Sequence, residues 1–136
     1  VTVEINRVAG LPVIVCKVVG AVTPPDDQTL LIREVVELKR QFKGPVYRII
    51  DLTVAQMTFQ DMVASIRTEH GRDGGSEDRD VTTIFVATSD LVRIGVAGLR
   101  NQPQYGTLNV YLVASPDQAF DLVRQLEAER QKARGH

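Results

Sequence analysis

The sequence is poor in the side chains that most often do chemistry. Among 136 residues there are two histidines, His70 and His136, one cysteine, Cys16, and no tryptophan. A single thiol excludes a disulfide within the chain and suits a reducing compartment, so a cytoplasmic protein is expected. Histidines and a cysteine so far apart match no zinc-site spacing, and neither a metal nor another cofactor is expected. His70 borders a polar loop and reads as solvated. Cys16 lies mid-strand, where Lys17 points to the opposite face. No nucleophile–base pair can be assembled, so an enzyme is not expected.

Charge of one sign is lacking too. Sixteen basic residues stand against seventeen acidic ones, for a net charge of −1. Without clustered Lys and Arg there is no field to hold a polyanion, which argues against nucleic acid as a partner. Apolar runs stop short of the roughly 18 residues that a membrane span needs, so none is expected. No basic-then-apolar stretch opens the sequence, and no secretory leader is expected. A phosphate-cradling loop is missing as well: the glycines of Gly71 to Gly75 follow a helix and precede a strand, the wrong edge of a sheet.

What remains is an ordinary globular composition, 43% hydrophobic and 24% charged, expected to form one domain over residues 1–136. Val1, Val3 and Ile5 alternate with polar residues as in a half-buried strand. Val8 to Leu11 reads as a hairpin turn into a second strand, Leu11 to Val19, which Gly20 ends. Thr23-Pro24-Pro25-Asp26-Asp27 signals a helix start. Leu31, Val35, Leu38 and Phe42 give that helix one apolar stripe, and Gly44-Pro45 stops it. Val46 to Thr53 is a strand ending in a carboxylate and a hydroxyl. Thr58 and Asp61 open the next helix, with Met62, Val63 and Ile66 on its apolar face. Residues 71–80 read as a mobile polar loop without an apolar anchor. Val81 to Ala87 is a strand, and Thr88-Ser89-Asp90 caps a helix reaching about Arg100. Leu108 to Ala114 is the last strand. Ser115-Pro116-Asp117-Gln118 is a capping box for a final helix that frays from Glu127 onward.

The order β-β-α-β-α-β-α-β-α predicts an α/β fold with an N-terminal hairpin and a mixed, mainly parallel sheet. Polar residues such as Lys17, Arg48 and Thr83 interrupt its strands. Helices mainly on one face are therefore expected, with the other face open. Val46, Ile50 and Tyr111 would make that open face a homodimer surface, and Arg48 would be solvated there. Candidate contact residues gather where the parallel strands end: Asp51, Thr53, Thr58, Phe59 and Asp61, then Ser89, Asp90 and Arg93. Each hydroxyl is also an ordinary helix cap.

In element order, and in Val46 to Thr53 above all, the chain resembles a STAS domain, the fold of bacterial anti-sigma factor antagonists and of sulfate-transporter cytoplasmic domains. That family shows a hydrophobic strand ending in Asp-Leu-Ser. The resemblance is to its divergent stand-alone members, and it implies regulation by protein–protein contact or the holding of a nucleotide or lipidic ligand. Antagonists carry an Asp-Ser-Ser-Gly-like run with a phosphorylated serine, where this chain has Val54-Ala55-Gln56-Met57-Thr58-Phe59. Thr58, and next to it Thr53, would be the hydroxyls for such a switch. The expected function is thus a non-enzymatic module that binds a partner protein through Asp51 to Asp61 and the start of the third helix. The alternative is a carrier of a small apolar ligand or lipid. Phe59, Met62, Leu91, Val92 and Ile94 would then line its pocket, rimmed by Asp51, Thr53 and Arg93.

Overall fold

A computed structural model describes residues 2–21, 26–58, 60–61, 64, 74–75, 78–90, 93–94, 97 and 109–134. Its sheet begins with the expected hairpin. Strand β1 (Thr2–Arg7) lies antiparallel to β2 (Val13–Ala21), with Glu4 opposite Lys17 and Asn6 opposite Val15. The Leu11 N–H donates to the Val8 carbonyl across the turn, and Gly10 takes a φ of 75° that a Cβ would disfavour. Helix α1 (Asp26–Phe42) then crosses over to β3 (Val46–Asp51), which pairs parallel with β2. A two-residue strand, β4 (Ala55–Gln56), pairs with Gly20 and Ala21 at the end of β2. Strands β5 (Val81–Val86) and β6 (Val110–Val113) extend the parallel sheet, and helix α2 (Pro116–Arg134) closes the chain. The order across the sheet is β1-β2-β3-β5-β6, so the fold is α/β with a mixed, mainly parallel sheet.

Two boundaries differ from expectation for identifiable reasons. Gly20 does not end β2. At φ 81° it stays in the ladder, because its N–H donates to the Val54 carbonyl and β4 supplies a partner there. Helix α1 ends through Lys43 rather than Gly44. Lys43 adopts the left-handed conformation (φ 54°) and donates its N–H to the Lys39 carbonyl, a cap more often given to glycine.

Alternation along the strands divides the core in two. Leu31, Val35 and Leu38 of α1 close over Ile14, Cys16, Val18, Val46, Ile50 and Val81. Ala119 and Val123 of α2 close over Val13, Tyr47, Ile49, Ile84 and Val86 on the opposite face. Each such aliphatic side chain contributes about 1.5–3 kcal/mol by leaving water. The expectation of one open sheet face is therefore corrected: α2 covers much of it. Val46 and Ile50 are not on that face at all but buried under α1, and only Tyr111 lies on the α2 side. Phe42, the last residue of the expected α1 stripe, is partly exposed, while Ile32 is buried.

Arg48 is corrected as well. It is fully buried on the α1 side, and its Nε donates to Thr83 Oγ1 at 2.6 Å. Thr83 is its register partner on β5, so the two polar interruptions of these strands meet, with Thr83 accepting one of the guanidinium's donors.

Far from fraying after Glu127, α2 is anchored there. The Tyr47 hydroxyl donates to Glu127 Oε1 at 2.6 Å, and the Arg130 guanidinium lies 5.3 Å from the Tyr47 ring centroid. Burial, then the hydrogen bond to Glu127, pushes the Tyr47 phenol well above its usual range, with Arg130 opposing.

The described part of the 71–80 segment is likewise held rather than loose. Gly74 and Gly75 are buried, and a Cβ on Gly74 would lie 3.0 Å from both the Ile32 carbonyl oxygen and Val36 Cγ2. Asp78 accepts hydrogen bonds from Lys39 Nζ (2.6 Å), the Gly74 N–H (2.8 Å) and the Asp80 N–H (2.9 Å). Burial raises the Asp78 carboxyl, but these donors together hold it below the usual carboxylate range.

Candidate contact edge at the carboxyl ends of the strands

Parallel strands deliver their carboxyl ends to one edge of the sheet, and each following loop starts there. Strand β3 is buried along its whole length, so Asp51, its last residue, is nearly buried too. Its Oδ1 accepts both the Thr53 N–H (3.0 Å) and the Thr53 hydroxyl (2.6 Å). An aspartate bonded to the residue two positions on shapes a turn. Here the carboxylate is committed to that role, and it holds Thr53 at the surface. The Leu52 N–H continues the ladder to the Val86 carbonyl, and the Ala55 N–H closes the turn on the Leu52 carbonyl. With the Val54 carbonyl bound by Gly20, residues 51–56 are fixed at both ends.

The side chain of Val54 is left outside this framework. It is 49% exposed, an apolar tip on a turn whose backbone is tied down. Beyond it, Thr58 and Asp61 form a reciprocal capping box: Thr58 Oγ1 accepts the Asp61 N–H (3.1 Å), and Asp61 Oδ2 accepts the Thr58 N–H (3.0 Å). Thr58 is thus a helix cap, as its spacing predicts. Phe59 lies outside the described residues, as do Met62, Val63 and Ile66.

The neighbouring strand β5 ends beside β3, and Ala87 bonds its N–H to the Val113 carbonyl. Thr88, Ser89 and Asp90 follow, all exposed, and the Arg93 N–H donates to the Ser89 carbonyl in the first helical turn. Arg93 is exposed, and Ile94 is 70% exposed. An isoleucine so open to solvent does not line a pocket, which corrects its expected role in a carrier. Leu91 and Val92, expected beside it there, lie outside the described residues. At β6 the Gln118 N–H donates to Ser115 Oγ (3.2 Å), and the Gln118 side chain accepts the Ala114 N–H (2.9 Å). Ser115 is therefore a cap as well.

The topology brings the two expected groups, Asp51 to Asp61 and Ser89 to Arg93, to one edge on adjacent strands. Among the described residues, no hydrogen bond or ion pair joins them. Sequence reasoning missed Val54. Its signal was an apolar residue directly after the Asp-Leu-Thr turn, where a buried role has no strand or helix to supply it. No group of three His, Cys, Asp or Glu side chains placed to hold a metal occurs among the described residues. His70 and His136 are outside them. No helix among the described residues is long and apolar enough to cross a membrane. The chain matches no known family model, no curated protein and no solved structure.

Proposed function

We propose that the chain is a STAS-like, non-enzymatic regulatory module of the cytoplasm that binds a partner protein through this edge. The observation that carries the reading is the pairing of a fixed backbone with exposed apolar tips. Asp51 commits an oxygen to both donors of Thr53, so the turn carrying Val54 is ordered before any partner arrives. A preformed surface avoids much of the entropy cost of ordering a loop on binding. Val54 and Ile94 supply apolar contact, and Thr53, Thr58, Asp90 and Arg93 supply a polar rim, the usual anatomy of a partner interface.

Phosphorylation fits the same edge as a means of release. A phosphate on Thr53 would set a dianion against Asp51, and one on Thr58 would replace the capping hydroxyl and repel Asp61. The exposure of Ile94 favours contact over a ligand carrier.

The test is quantitative capture from the protein's own cells, comparing wild type with the Val54→Asp/Ile94→Asp double variant. Both positions are exposed, so the thermal midpoint should be unchanged. The reading expects a protein enriched at least tenfold with wild type and lost with the variant. The same protein recovered equally by both would overturn the edge as its binding surface.

A further inference from the structure

Helix α2 packs over β3, β5 and β6, and the cluster it closes reaches Val13 at the start of β2. Val15 packs against that cluster too, and beyond it the same sheet face is uncovered. Lys17 and Val19 of β2 and Glu4 and Asn6 of β1 are exposed there, with Val15 half-buried beside them. Glu4 and Lys17 are register partners, hence on one face and one strand spacing apart, about 4.8 Å. Neither is in an ion pair among the described residues.

That pattern is self-complementary in one orientation only. A two-fold axis running along the strands, midway between β1 and β2, lays the β1 of one copy over the β2 of the other. Glu4 then meets the partner's Lys17, and Lys17 meets the partner's Glu4. A two-fold axis across the strands would put Glu4 on Glu4 and Lys17 on Lys17. The favourable axis also keeps the stacked strands aligned, one of the two ways in which sheets pack face to face at about 10 Å. Because β3, β5 and β6 all lie on one side of β2, it carries each α2 past the other copy's β1 edge instead of onto the stacked strands. Val15 and Val19 flank Lys17 on this face and add apolar area.

We infer that a second copy of this chain covers the β1–β2 half-face in an isologous dimer held in register by two reciprocal Glu4–Lys17 pairs. A face of one charge sign would select a different partner. Adjacent unlike charges at one level select the face itself, turned over. This face is separate from the edge that carries Val54, so either surface can fail without the other.

Sedimentation equilibrium on Lys17→Glu and Glu4→Lys tests the arrangement, with circular dichroism to establish that each variant folds. Wild type is expected to be a dimer at micromolar concentration. Each single variant juxtaposes like charges twice and is expected to dimerise at least tenfold more weakly. An equimolar mixture of the two variants restores two unlike pairs and is expected to regain the dimer mass. The E4K/K17E double swap should dimerise like wild type, and it keeps the test alive if one single variant does not fold. A monomeric wild type, a single variant that dimerises as wild type does, or a mixture or double swap that stays monomeric would each overturn the inference.

Discussion

Arg48 and Thr83 meet in the middle of the sheet, both fully buried and joined by a hydrogen bond of 2.6 Å. Thr83 is the acceptor for one of the guanidinium's donors, and removing an acceptor from a buried charged donor costs roughly 1.5–3 kcal/mol. Thr83→Val is nearly isosteric and suits a strand, so its effect isolates the lost acceptor. Urea denaturation should show a loss of that size with the same dependence on denaturant. An unchanged midpoint would mean that Arg48 does not depend on Thr83. Asp51 and Thr53 obey the same logic nearer the surface, where a carboxylate bonded two residues on sets the geometry of a turn.

Between elements, side chains far apart in sequence do the joining. Tyr47 reaches Glu127 of α2, and Lys39 of α1 reaches Asp78 before β5. Asp78 permits a test with a sign. Its pKa is lowered on folding, so its contribution is present above the unfolded carboxylate value of about 3.9 and is lost as pH falls through the folded one. Asp78→Asn should therefore cost roughly 1.5–3 kcal/mol at pH 7. The gap to wild type should narrow as both proteins are taken below pH 4. A gap independent of pH would assign the loss to packing rather than to charge. These long-range ties also mark the limit of what the sequence reveals. The caps at Thr58 and Ser115, the hairpin turn and the core of the α1 stripe were legible because each depends on residues three or four apart. The hold on Gly74 and the length of α2 were not, because Ile32, Val36 and Tyr47 lie tens of residues from what they anchor.

For the molecule as a whole, the mixed, mainly parallel sheet followed from alternating patterns, but the short strand β4 and the covering of the sheet's faces did not. Arg48 and Thr83 made β3 and β5 look half-solvated, when both are buried and joined by a hydrogen bond across the ladder. That reading put Val46 and Ile50 on an open face that α2 in fact shares with the β1–β2 surface. The carboxyl edge was easier to locate, since parallel strands must deliver their loops to one side. Which of its side chains stay exposed depended on the turn that Asp51 builds.

The most direct measurement of the account is hydrogen exchange on the protein alone and bound to the partner recovered with it. In the free protein the Thr53 and Asp61 amides, both already bonded to side chains, should exchange more slowly than an unstructured chain. On binding, further protection should fall on the segments around Thr53 to Thr58 and Ser89 to Ile94 and leave α2 unchanged. Protection elsewhere with none at these two segments would contradict a contact edge at the carboxyl ends of the strands.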